Sequence, residues 1–473
     1  MTDRPGADAL GRGGRTDPAL RARAGAARDP FLAGGWDLYL LAAAALVPIA
    51  VPAGPAGVTI LDVLNGAALV LVLTISARCG VRVRFPFALP ILLISARSLL
   101  AVTNAVSVPA SLAALLQDAY LYLWLVALVV LMSRRGDLRR VRLAWLGTAS
   151  AIAVFSLAVA ILRGNLSLGH LLTARGSRLQ GTFANPNVFA DYLMFSVFIG
   201  LGLVGQVRAR ILVPSLGLLL VALLATKSNG GLAALSAGLA VWLPARAWFG
   251  GVSRTQVAGV VSLALAAVLL AGWAGSEWGI GTGPIGRLGE RSLFGRISHS
   301  SESRREIWQR LERYYGRFPL GIGPSNSSYQ MVPIGERERP DSFQSKEAHS
   351  DYLAYAVERG PLALVALLVG MAQAFGMVLG ARRHPGERTG GAAARGILLA
   401  SLLGALVGTS VHSLVIEKLH FRHFWMFLAL VCAMTAEAPA PARAGPGLAG
   451  CLRPLRAPQA RLGALATPGG EPS

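Results

Sequence analysis

The stretch Ser111-LAALLQDAYLYLWLVALVVL-Met132, followed at once by Ser133-Arg-Arg-Gly-Asp-Leu-Arg-Arg140, decides the fold. The first part is long and apolar enough to cross a bilayer as a helix, which takes about 20 mostly apolar residues. The second part is a basic cluster, the mark of a loop that stays on the cytoplasmic side. The same alternation repeats along the chain. Apolar runs fall at 37–53, 58–77, 85–101, 111–132, 142–162, 187–206, 211–226, 230–249, 257–275, 353–380, 396–416 and 421–437. The reading is an all-α, polytopic membrane protein with about 12 transmembrane helices. The run at 85–101 is the exception to watch, because Arg97 lies inside it.

Basic residues give the orientation. Arg4, Arg12, Arg15, Arg21, Arg23 and Arg28 precede the first span, and Arg78, Arg82 and Arg84 follow the second. Arg134, Arg135, Arg139 and Arg140 follow the fourth, Arg208 and Arg210 the sixth, and Arg246 and Arg254 the eighth. Arg382, Arg383, Arg388 and Arg395 follow the tenth, and the tail holds Arg443, Arg453, Arg456 and Arg461. Gaps 54–57 and 102–110 carry no charge. Both termini are therefore expected in the cytoplasm, in an inner (plasma) membrane. Residues 1–35 read as a disordered N-terminal segment, 36–275 as spans one to nine and 276–352 as a large external loop. Residues 353–437 read as spans ten to twelve, and the Ala-, Pro-, Gly- and Arg-rich 438–473 as a disordered tail. No cleavable signal peptide is expected, since the first 30 residues are polar and Arg-rich.

Composition agrees. Of 473 residues 53% are hydrophobic and 15% charged, well below the roughly 25% charged of soluble domains. The 45 Lys+Arg against 24 Asp+Glu would fit nucleic-acid binding in a soluble chain. Their confinement to short loops between apolar runs excludes that partner. Cys79, Cys432 and Cys451 lie far apart without metal-ligand spacing. None falls in an external segment, so no structural disulfide is expected.

Charges on the outer side are few, and the positive-inside rule opposes them near a span. They are Arg163, Arg175 and Arg178; Lys227; the loop 276–352; and Glu417, Lys418, His420 and Arg422. In Arg178-Leu-Gln-Gly-Thr-Phe-Ala-Asn-Pro-Asn187 the Asn-Pro-Asn element signals a helix start, with Asn187 as expected N-cap. An outward helix N-terminus presents free N–H groups to an anion, and guanidinium groups grip phosphate oxygens bidentately. A phosphate or diphosphate clamp and a pair of snorkelling arginines beside a structural cap both fit. In the loop, Ser303-Arg-Arg-Glu306 reads as a capping box, followed by Ile307, Leu311 and Tyr314 on one helical face. A short amphipathic helix is expected, bearing Arg304, Arg305, Arg310 and Arg313. The loop returns to the bilayer at Ala348-His349-Ser-Asp-Tyr-Leu353, with Glu358 further along. His349 has the pKa range for proton transfer, and Glu358 needs a partner in so apolar a setting. His412 reads equally well as a satisfied core histidine.

In order and spacing, these stretches resemble the O-antigen ligase and polymerase family of membrane glycan transferases. Arg178-x-x-Gly-Thr-Phe-x-Asn-Pro-Asn-x-Phe-Ala-x-Tyr-Leu193 carries the first part of the resemblance. Arg305-x-x-Ile-Trp308, Pro319-Leu-Gly-Ile-Gly-Pro324, Ala348-His-Ser-Asp-Tyr-Leu353 and Glu358-Arg-Gly360 carry the rest. The resemblance spans roughly residues 175–375. It implies an undecaprenyl-diphosphate-linked glycan as donor and a glycan or lipid-anchored sugar hydroxyl as acceptor, at the outer face of the membrane. It implies no metal and no cofactor. Such a ligase serves lipopolysaccharide and the cell envelope, and a repeat-unit polymerase of exopolysaccharide or O-antigen is the alternative. In roles, it implies His349 as the base that activates the acceptor, and Arg178 and Arg305 as holders of the diphosphate. Arg175, Asn187, Lys227 and Glu358 are further candidates for substrate binding. This chain departs from the family at Ser228-Asn229-Gly230, where an arginine is usual, so only Lys227 supplies charge there. A polysaccharide or lipid transporter or flippase is the reading from another class. Against it, no repeat relates the two halves, and ionisable residues gather at one face.

Overall fold

Among the described residues the apolar runs are helices, as their composition requires. Every backbone polar group in a bilayer must be satisfied within its own segment. The computed structural model describes residues 31, 34–49, 59–81, 83, 85–135, 137–162, 174–175, 178–183, 185–249, 308–309, 311–312, 315–327, 348–381 and 389–436. Among them the helices are α1 (Gly34–Leu46), α2 (Ile60–Arg78), α3 (Ala88–Ala101), α4 (Val108–Met132), α5 (Arg139–Leu162), α6 (Pro186–Leu201), α7 (Ala209–Ala225) and α8 (Asn229–Trp248). Then follow α9 (Asp351–Arg359), α10 (Pro361–Gly380), α11 (Thr389–His412) and α12 (Arg422–Thr435). Two short strands, β1 (Ala174–Arg175) and β2 (Arg178–Leu179), pair antiparallel with Arg175 opposite Arg178.

Among the described residues, five helices are long and apolar enough to cross a membrane: Ile60–Arg78, Val108–Met132, Arg139–Ile161, Pro361–Gly380 and Ala393–His412. Gly34–Leu46, Ala88–Asn104, Pro186–Leu201, Ala209–Ala225 and Arg422–Thr435 are apolar but shorter. The chain is thus an integral, mostly helical membrane protein. The expected ninth span and the start of the loop helix, with Arg305, lie outside the described residues.

The expected span 353–380 is two helices. Gly360 at φ +86 and Pro361 separate α9 from α10. The left-handed angle and the missing proline N–H end one helix and start the next. A Cβ at Gly360 would lie 3.1 Å from the Pro319 carbonyl and 2.8 Å from the Arg97 guanidinium. Arg97 itself donates to the Leu320 carbonyl at 3.0 Å, which explains an arginine within α3. Of the three cysteines, Cys451 lies outside the described residues. Cys432 is free and buried.

The core is built where small residues let helices close. Gly238 on α8 faces the Gly404 carbonyl of α11 and the Phe198 ring of α6, with no room for a Cβ. Indole N–H groups pin the same helices, Trp145 to Ser196 Oγ and Trp242 to Ser401 Oγ, each at 2.9 Å. Contacts also sort the helix ends into two faces. At one, Arg139 and Arg142 of α5 donate to the main chain of Gln206 and Gly202 beyond α6, and Arg135 pairs with Asp37 of α1. At the other, Thr182 donates to the Pro48 carbonyl, Arg178 reaches the end of α7, and the end of α11 meets the starts of α8 and α9.

Candidate functional site

Two helix N-termini meet at that second face. α6 begins with Pro186 at its first turn. Its N-cap is Asn185, not Asn187 as expected, and the Asn185 side chain accepts from Asn187 N–H at 2.9 Å. The proline fixes this register, since its ring suits the first helical position and leaves the preceding residue to cap. Asn187 Oδ1 is thereby turned to Arg178, whose Nη2 donates to it at 2.7 Å. Arg178 Nε donates to the Thr226 carbonyl at 3.0 Å. One guanidinium thus bridges the start of α6 and the end of α7. Ser228 caps α8, accepting from Gly231 N–H at 3.2 Å. α6 and α8 nearly touch here, because a Cβ on Gly231 would sit 2.6 Å from that of Ala190. Between Thr226 and Ser228, Lys227 adopts φ +50. A left-handed non-glycine residue costs roughly 1–3 kcal/mol and is kept where the surroundings dictate it. Lys227, Arg178 and two positive helix ends make this corner suited to anions.

His349 is the second left-handed residue among the candidates, at φ +53. Its N–H donates to Glu417 Oε1 at 3.1 Å. Ser350 caps α9 and also donates to the Ser413 carbonyl at 3.3 Å, as Asp351 N–H does at 2.9 Å. In return, Asp351 Oδ1 accepts from the N–H groups of Lys418 and Leu419, at 2.9 and 3.2 Å. The turn 413–421 therefore holds residues 349–351 from several points. Burial pushes the Asp351 carboxyl up to about 6, against those two hydrogen bonds, which lower it. Burial likewise pushes the His420 imidazole down to about 4, helped by the charges of His423 and Arg422.

Of the expected candidates, the structure joins Arg178, Asn187 and the Lys227 turn directly. His349 reaches them through the end of α11: a Cβ at Gly230 would lie 3.2 Å from His412 Nε2 and 2.7 Å from Val415. Glu358 is elsewhere. Its carboxylate accepts from Ser325 N–H (2.8 Å), Ser327 N–H (3.1 Å) and Ser327 Oγ (2.6 Å), bracing the glycine-rich turn 321–327. Arg175 pairs with Arg178 through the backbone. Beyond Arg305, Trp308 donates to the Ala348 carbonyl at 3.1 Å, and Leu311 packs with Ile322, Ala348, Ala354 and Val357. The segment after Arg305 is thus docked beside His349.

Asp191 was not among the expected residues. It is fully buried on α6 and accepts from His412 Nδ1 (2.7 Å), Lys418 Nζ (2.8 Å) and His423 Nε2 (2.8 Å). The signal in the sequence was a carboxylate inside an apolar span, which must find a partner. Among the described residues, no group of three or more His, Cys, Asp or Glu is arranged to hold a metal ion. Below the turn, a small, partly open apolar crevice of about 50 Å³ lies between α3, α4, α10 and α12, lined by Ile91, Tyr122, Tyr355, Leu367, Leu419 and Trp425.

Residues 214–368 match the family described as O-antigen ligase. That stretch contains Lys227, Arg305, His349 and Glu358, and follows the Arg178–Leu193 motif. It supports the resemblance to the O-antigen ligase and polymerase family drawn from the motifs. No curated protein matches the chain.

Proposed function

We propose that the chain transfers a glycan from a polyisoprenyl diphosphate to a sugar hydroxyl at the outer face of the membrane, as a ligase of surface polysaccharide. The observation that carries this reading is the meeting of Arg178, Asn187, Lys227 and the N-termini of α6 and α8 at one face, with His349 tied to that face through α11. Basic loops at the other face support an outward orientation for this one. A site at this boundary lets the donor's lipid stay in the bilayer while its head and sugars stay wet.

The chemistry needs little else. His349 takes the proton of the acceptor hydroxyl as that oxygen bonds to the anomeric carbon of the donor sugar. The bond from that carbon to the diphosphate oxygen breaks, and the diphosphate leaves with the electron pair. It is a weak base, so charge neutralisation stabilises it more than protonation would. Arg178, Lys227, Arg305 and the two helix ends supply the positive charge. No step calls for a metal.

The test is the glycan profile of a deletion strain complemented with wild type or His349→Ala. Full-length lipid-linked polymer accumulates where a ligase is missing. Single lipid-linked repeats would identify a polymerase, and intermediates held on the inner leaflet a flippase. His349→Ala is expected to insert normally and to lose transfer by about 10²- to 10⁴-fold, the range for a positioned base. A wild-type glycan profile in that variant overturns its role as base.

A further inference from the structure

We infer that Asp191 is a positioning residue for the transfer site, acting through the turn 413–421 on His349. The inference rests on the reading of His349 as the base. All three partners of the Asp191 carboxylate, His412, Lys418 and His423, come from one twelve-residue stretch. They pin the turn at its entry, its middle and its exit. Lys418 is fully buried and also donates to Thr409 Oγ1. The pinned turn supplies the Ser413 carbonyl to Ser350 and Asp351, the Glu417 carboxylate to His349, and the N–H groups of Lys418 and Leu419 to Asp351.

A buried ionic cluster is weak evidence for stability. Replacing a buried ion pair with packed apolar groups is often neutral or better for stability, and such pairs are best explained where they fix one geometry. The geometry fixed here is that of His349, held at φ +53 with its N–H on Glu417. Asp191 touches no substrate on this account. It sets where the imidazole stands.

The test uses the full-length protein in membranes with a lipid-linked donor. Asp191→Asn alone strands the Lys418 ammonium and is expected to insert poorly. The double variant Asp191→Asn/Lys418→Met removes both charges. It is expected to insert and melt like wild type, with kcat down at least about tenfold and donor KM within about threefold, as misplacing a catalytic group does. His423→Leu leaves the Asp191–Lys418 pair intact and reads the same quantity should the double variant not insert. It is expected to lose kcat about three- to tenfold at unchanged KM. Wild-type kcat in either variant, with or without lowered melting, makes the cluster fold glue and overturns the inference. Full turnover in His349→Ala would instead remove the reading beneath it, and the two failures are told apart.

Discussion

Arg178 spends its guanidinium on two acceptors in different elements, the Thr226 carbonyl and Asn187 Oδ1. A planar fork does this and still faces a phosphate, whereas an ammonium is a single point of charge. Arg178→Lys is therefore expected to lose about tenfold or more in transfer, as bidentate sites do, with insertion unchanged. Wild-type transfer in Arg178→Lys would mark a snorkelling arginine. Asp351 gives a pH-dependent counterpart. Its carboxyl lies at about 6 in the folded protein against 3.8 ordinarily, and burial is the main cause. The folded state thus favours the protonated form, a contribution present below the ordinary value and lost as pH rises through about 6. The shift corresponds to about 3 kcal/mol. Asp351→Asn keeps an oxygen for the two N–H groups, so it is expected to melt above wild type at pH 8 and level with it at pH 4. Equal melting at both refutes the assignment. At this scale the sequence was legible residue by residue but not pair by pair. His412 and Lys418 stood out as polar groups near an outer end, and Asp191 sat inside a quoted motif, yet nothing local says that they share one carboxylate. Arg97 read as an anomaly because its acceptor, Leu320, is 223 residues away.

Among elements, the tightest seam is α8 against α11, and it depends on glycine. At Gly238 a Cβ would approach the Gly404 carbonyl to 2.5 Å and the Phe198 ring to 2.5 Å. A backbone carbonyl cannot swing aside as a side-chain tip can, so the helices must part. Gly238→Ala is expected to lower stability by about 1–3 kcal/mol, the usual range for overpacking, read as an earlier melting transition in detergent. It is also expected to lower transfer, because α8 and α11 carry Ser228 and His412 to the site. Unchanged melting would mean that the seam relaxes without strain. Apolar runs of helical length were enough to find most of these elements. They were not enough to place the α9–α10 break, since an apolar run reads through Gly360-Pro361 unless the chain wrapped against that glycine is known. The Asn185 cap shows the same limit: Asn-Pro-Asn fits a start at either asparagine, and the contact to Arg178 accompanies the choice.

For the molecule as a whole, the decisive question is which face meets the outside. Contacts alone establish that the Arg178 corner and the 413–421 turn share one face and that the arginine-rich ends of α5 and α7 share the other. The direction comes from charge. Arg134, Arg135, Arg139, Arg140, Arg208 and Arg210 gather at the face opposite the Arg178 corner, and basic loops resist translocation. Leu414 on the turn is 51% exposed, and Arg210 is exposed at the start of α7. In a background with the native cysteines replaced by serine, Leu414→Cys is expected to react with a membrane-impermeant maleimide on intact spheroplasts. Arg210→Cys is expected to react only after permeabilisation. The reverse pattern would put the cationic corner in the cytoplasm, where a lipid-linked donor would not yet have crossed. Labelling of both from one side would contradict the bundle itself, because α7 alone separates the ends of the chain segment joining Arg210 to Thr226, the carbonyl that Arg178 holds.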